Sequence, residues 1–241
     1  MSTWSKLKHD NILPLLGFFF SSSLSVSLVT PWMEQGDAPN YLKGHPHTCR
    51  VNLLLGITKG LAYIHSQGLY HGDLKGGNIL ISDEGRPMLS SFTRTTSHNL
   101  SFIESNTPTR IRLGTTRWMA PEVIMESAPG VTPKSDMWAL GCVFLELIAS
   151  ILPYHHCQNV NQLILTLIAD QYPYPQASLT SEPLPFKQYP GLWSVCIRCW
   201  DFTPSSRPQC QDIQGLLTWL KSVLFARTVR FNMSTHKNAD I

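Results

Sequence analysis

His71-Gly72-Asp73-Leu74-Lys75-Gly76-Gly77-Asn78 places an acid, a base two residues later and an amide five residues later between a helical period and a short strand. Those residue types at that spacing suit phosphoryl transfer. The reaction needs little covalent help: a carboxylate orients the accepting hydroxyl, a cation meets the phosphate, and an amide oxygen serves as a metal ligand. Taken alone, a polar turn that happens to hold Asp, Lys and Asn would look the same.

Upstream of this stretch, Val51, Leu54, Leu55, Ile57, Leu61, Ile64 and His65 recur at spacings of three and four, an amphipathic helix that Gly68 is placed to end. Before it, Gly36 to Pro46 is turn-rich, with room for a single helical turn. Ser23-Leu24-Ser25-Val26-Ser27-Leu28 alternates with period two, the pattern of a strand with one buried face, and Phe18-Phe19-Phe20 is its hairpin partner. Downstream, Asn78-Ile79-Leu80-Ile81 and Met88-Leu89 are short strands around the turn residues 82–87. Residues 93–113 are Ser- and Thr-rich without periodicity, and a loop of that length is usually functional. From Pro133 the chain is helical. The stretch from Ser135 to Ser150 is apolar on nearly every side, as a buried central helix would be, and helices over Asn159 to Ala169, Leu192 to Trp200 and Cys210 to Phe225 follow. Residues 226–241 lose the apolar period and read as a frayed tail.

Composition narrows the function classes. The chain has 241 residues, 43% of them apolar, enough to bury a real core, and its net charge of +3 gives no reason to expect nucleic acid or an anionic membrane as the main partner. The uncharged segment Ile12 to Met33 contains five serines, Pro14 and Gly17, so it is read as a hairpin and not as a membrane span. No small-residue cleavage site follows Lys6, Lys8, His9 and Asp10, which argues against a signal peptide. Of six cysteines, Cys196 and Cys199 form the one close pair, without the second pair or nearby histidines that zinc requires; buried, reduced thiols in a cytoplasmic protein are expected.

Further stretches follow Asn78 in order: Ser91-Phe92-Thr93, then Gly114-Thr115-Thr116-Arg117-Trp118-Met119-Ala120-Pro121-Glu122, then Ser135-Asp136-Met137-Trp138-Ala139-Leu140-Gly141, and Ser206-Arg207-Pro208. With these the sequence resembles the eukaryotic protein kinases, in the tyrosine-kinase-like group, over about residues 5–225. The resemblance implies an α+β, protein-kinase-like fold: a mostly helical C-lobe over 34–225 and a remnant of the N-lobe sheet over 1–33. It also implies roles. Asp73 matches the catalytic-loop base, Lys75 the residue contacting the transferred phosphate, Asn78 the second-metal ligand, and Thr115 the threonine that bonds the catalytic Asp and Lys. Thr30 matches the gatekeeper, Met33 lies in the hinge that pairs with adenine, and Leu80 is the apolar floor beneath it. Glu122 and Arg207 match a buried structural pair, and Asp136 the residue that holds the catalytic-loop backbone. ATP and Mg²⁺ are the implied cofactors, and a protein substrate or protein partner is implied. Lys75 in place of the tyrosine-kinase arginine pattern implies Ser/Thr specificity.

The sequence departs from that family at three places. Ser91 stands where the family has the metal-binding Asp of its Asp-Phe-Gly motif, and Thr93 replaces the Gly. A neutral hydroxyl is a poor substitute for a carboxylate on Mg²⁺. Gly72 replaces the Arg that reads a phosphate on the activation loop, so the loop over 93–113 is not expected to act as an on-switch. The sequence opens near the end of the family's N-lobe helix, with no Gly-rich loop or phosphate-binding lysine in these 241 residues. Three expectations follow: a degenerate kinase acting as a binding module, an active Ser/Thr kinase within a longer protein, or a gene fragment without a role.

Overall fold

Thr132 starts the helix on which the rest is built. Its Oγ1 accepts from the Ser135 N–H at 3.2 Å while Ser135 Oγ accepts from the Thr132 N–H at 2.9 Å, a reciprocal cap that spends two otherwise orphaned donors. Pro133 pre-sets the first helical φ. The helix, α5, spans Pro133–Ala149 and ends at Ser150 in the left-handed region (φ 56°). Trp138, Leu140, Val143, Phe144 and Leu145 have no exposed surface, the expected result for a helix apolar on every side.

The computed structural model describes residues 3–20, 26–91, 113–125, 130–175 and 182–237. In it α1 (Ala38–Gly44) and α2 (Arg50–Ser66) precede β3 and β4; α3 (Leu113–Thr116) and α4 (Pro121–Ile124) precede α5; and α6 (Val160–Ile168), α7 (Leu192–Cys199) and α8 (Cys210–Lys237) follow it. α2, α7 and the short α1 pack on α5, and α8 lies along α2. α1 exceeds the single turn expected, because Asp37 caps it by accepting from the Asn40 N–H. α2 closes where expected, with Gly68 at φ 69° donating to the His65 carbonyl.

The strands form two antiparallel hairpins: β1 (Gly17–Phe20) with β2 (Val26–Val29), and β3 (Ile79–Ile81) with β4 (Pro87–Leu89). β3 and β4 carry buried residues; β4 rests on α2, and β3 lies against α1. Pro87, expected in the turn, instead opens β4, a strand position at which a missing N–H is tolerated.

Two further expectations are overturned. Ser23, Leu24 and Ser25 lie outside the described residues, and among the described ones the first hairpin shows no buried face: Phe18, Phe19 and Phe20 are 55–66% exposed, and Leu28 and Val29 are 38% and 39% exposed. Period-two alternation specifies which side chains share a face, not that anything covers it, and this sheet has only two strands among the described residues. The second is the tail. α8 runs to Lys237 rather than ending at Phe225. Residues 226–237 hold neither Gly nor Pro, so losing the apolar period does not break the helix. The predicted Phe92, Thr93 and the greater part of loop 93–113 lie outside the described residues.

The opening segment is tied to α2 and β4. Trp4 Nε1 donates to the Leu13 carbonyl at 2.6 Å, Asn11 Nδ2 donates to the Pro87 carbonyl at 2.8 Å, and the Leu89 N–H donates to the Asn11 carbonyl at 2.9 Å. Gly60 on α2 allows this approach, since a Cβ there would lie 2.8 Å from the Asn11 carbonyl oxygen. Gly60→Ala is therefore expected to destabilise the chain by about 1–3 kcal/mol despite its better helix propensity. Chemical denaturation checks this; a stabilised Gly60→Ala variant would contradict the packing.

No helix among the described residues is long and apolar enough to cross a membrane. All six thiols are free; five are buried, and Cys49, contrary to expectation, is exposed. Burial raises the thiol pKa values of Cys142, Cys196, Cys199 and Cys210, that of Cys199 to about 12, which leaves it inert.

Candidate active site

The stretch 71–78 is a loop suspended over the first turn of α5. Asp136, 2% exposed, accepts from the His71 N–H at 2.8 Å and the Gly72 N–H at 2.9 Å, and His65 Nε2 lies 2.9 Å from its Oδ2. Gly72 has φ 77°, a left-handed conformation that glycine adopts without strain. The His71 ring is buried, and burial pushes its pKa below the usual histidine value. Its Nδ1 accepts from the Asp73 N–H at 3.2 Å, turning the chain so that Asp73 projects beyond the loop.

The structure brings Asp73, Lys75, Asn78 and Thr115 together. Asn78 Nδ2 donates to Asp73 Oδ2 at 2.8 Å and to the Asp73 carbonyl at 2.6 Å. Lys75 Nζ lies 3.4 Å from Asp73 Oδ2 and donates to Thr115 Oγ1 at 3.1 Å. The cluster can orient a hydroxyl against a carboxylate and set an ammonium beside a phosphate. A cleft lined by Asp73, Thr115, Trp118, Met119 and Val123 opens next to it.

Glu122 and Arg207 also meet, in a two-pronged pair at 2.6 and 2.8 Å. Arg207 is 1% exposed, and it further donates to the carbonyls of Lys134 (2.9 Å) and Asp201 (2.8 Å) and lies over the Trp138 ring at 5.1 Å. Thr30 follows β2. A turn closed by the Gly36 N–H on the Met33 carbonyl leads to Asp37, which bridges to Leu80, so the chain after Thr30 runs past the upper side of β3. Met33 and Leu80 are half-buried against the core there, whereas Trp32 is 82% exposed.

Ser91 ends the described stretch after β4. Its φ of 63° lies in the left-handed region, unusual for a residue other than glycine and found mostly at sites where surrounding structure enforces it. Ser90, just before it, donates from both its N–H and its Oγ to the Asn78 carbonyl at 3.0 Å, which sets Ser91 next to the loop. As donors for Mg²⁺, this corner offers the neutral Ser91 hydroxyl and an Asn78 amide oxygen. These do not fit a magnesium ion held by a carboxylate at position 91, and among the described residues no group of three His, Cys, Asp or Glu could hold a metal.

Sequence reasoning missed three residues here. Ser90 ties β4 to the loop. Arg117 donates to the carbonyls of Pro153 (3.0 Å), Tyr154 and Cys157 (2.7 Å), pinning the chain before α6. Glu146 accepts from the Gly76 N–H and from Trp118 Nε1, each at 3.0 Å. A signal for the last existed: it is the only charged residue between Met137 and Ile148.

The family description "protein kinase domain" matches residues 1–216. Among curated relatives, the Serine/threonine/tyrosine-protein kinase HT1 of Arabidopsis thaliana is 32% identical over 88% of this chain and 52% of its own length. The MAP3K epsilon protein kinase 1 of Brassica napus is 33% identical over 90% of the chain and 16% of its own length, and the MAP3K epsilon protein kinase 2 of Arabidopsis thaliana is 33% identical over 97% and 17%. The chain spans about half, or much less, of the length of these relatives.

Proposed function

The chain belongs to the eukaryotic protein kinase superfamily, and from that premise we propose that it is a degenerate member, a cytoplasmic signalling module that binds a protein partner without phosphorylating it. The observation that carries this reading is Ser91. The family's phosphoryl transfer depends on a carboxylate there to hold Mg²⁺ against the phosphates, and a serine supplies neither the charge nor the strength of ligation. Gly72 adds to it, since the loop has no arginine to receive an activating phosphate. Six free thiols support a reducing, cytoplasmic setting. The names of the relatives describe protein kinases, which supports a protein as partner.

A second reading, an active Ser/Thr kinase using ATP and Mg²⁺, is favoured by the intact cluster of Asp73, Lys75 and Asn78. In that reading Asp73 takes the proton of the acceptor hydroxyl, and Lys75 neutralises charge on the transferred group. Bound ATP would supply the phosphoryl group.

Calorimetry on the folded chain separates the two. We expect ATP affinity to be the same with and without Mg²⁺, and Ser91→Asp to introduce a Mg²⁺ dependence. Mg²⁺-dependent ATP binding by the unsubstituted chain would overturn the degenerate reading in favour of the active one.

A further inference from the structure

We propose that Glu146 is a positioning residue, a buried relay that couples the segment ending at Trp118 to the loop carrying Asp73, Lys75 and Asn78. The inference rests on reading residues 71–78 as the functional loop, but not on whether that loop still catalyses. A single oxygen carries it: Glu146 Oε2 accepts both from Trp118 Nε1 and from the Gly76 N–H, each at 3.0 Å. With one acceptor shared between two donors, a shift of the indole moves the oxygen that the loop amide follows.

The surroundings are built for this contact. Glu146 is 8% exposed in an otherwise apolar stretch of α5, where an ionised carboxylate persists only with donors to satisfy it. The loop backbone descends onto it, since a Cβ on Gly76 would lie 2.5 Å from Glu146 Oε1 and 2.6 Å from Pro39 Cγ. Gly76 opens the single turn Gly76–Asn78, and Asn78 bonds Asp73. The segment before Trp118 touches the same loop again, through Thr115 and Lys75. Residues 115–118 thus hold the loop at two points, one of them through α5. A protein seated on this segment would be felt at Asn78 and Asp73 without touching either. Burial raises the Glu146 carboxyl pKa, and the two N–H donors oppose that shift.

Amide hydrogen exchange on the whole chain tests the relay without any nucleotide, so its failure is separable from that of the degenerate-kinase reading. Trp118→Phe removes one donor and leaves the Gly76 bond nominally intact. With a relay, exchange at Gly76 rises roughly five- to tenfold relative to the α5 amides of Val143 and Phe144, the effect of one weakened hydrogen bond. Glu146→Ala gives at least the same rise. Glu146→Gln keeps one oxygen able to accept from both donors, so Gly76 protection stays near that of the unsubstituted chain. Unchanged Gly76 exchange in Trp118→Phe would overturn the relay, as would Glu146→Gln behaving like Glu146→Ala. Should Glu146→Ala not fold, the Trp118→Phe and Glu146→Gln pair still decides.

Discussion

Arg207→Ala is expected to lower the stability of the folded chain by about 3–5 kcal/mol, the usual cost of removing one partner of a buried ion pair. For a chain of this length that corresponds to a fall in Tm of about 10 °C. The residue is 1% exposed, and every face of its guanidinium is used: Glu122 takes two bonds, the carbonyls of Asp201 and Lys134 take two more, and Trp138 lies beneath it. Deleting it takes the charged partner from the Glu122 carboxylate and a donor from each of two carbonyls. Lysine cannot reproduce the forked geometry, so Arg207→Lys should recover only part of the loss. Urea denaturation of both variants, with Glu122→Ala and the double substitution closing a cycle, measures the coupling. An unchanged midpoint for Arg207→Ala would refute the pair as a stabilising element.

Asp136→Ala follows, with an expected loss of about 3 kcal/mol. Two backbone N–H groups, of His71 and Gly72, end on its carboxylate, and no water reaches His71 to replace it. Leaving such donors unpaired costs about 1–3 kcal/mol each. Asp136→Asn should lose about half as much, because its amide oxygen can still accept from one of them. The loss should be concentrated in the loop: amides 71–73 should lose protection from hydrogen exchange while those at the middle of α5 keep most of theirs. A midpoint within experimental error of the unsubstituted chain would sink this account of the loop.

The long elements were legible in the sequence because each carries its reason locally. α5 announces itself by an apolar run behind a proline, α2 by its period and closing glycine, and the loop 71–78 by residue types at fixed offsets. Glu122 and Arg207 lie 85 residues apart, and only the family resemblance joins them in sequence. The cover of the first hairpin was not legible, because alternation encodes sidedness and burial needs a neighbour. Nor was the length of α8, which follows helix propensity past the point where the apolar period ends. Glu146 escaped because a lone carboxylate on an apolar helix does not say whether it faces water or a loop backbone. The left-handed turn at Ser91 escaped because serine, unlike the glycine at position 72, carries no mark of it.

The scaffold of the loop 71–78 has an evolutionary consequence. Asp136 belongs to the innermost helix and His71 to the buried core, so the path of the loop is a by-product of folding itself. A lineage that stopped transferring phosphate would still be selected against losing these anchors, because losing them costs stability. The side chains on the rim would drift freely, first among them those that only chemistry requires, and a carboxylate at position 91 is of that kind. Intact anchors such as Asp136 and His71 therefore testify to folding, and by themselves say nothing about turnover.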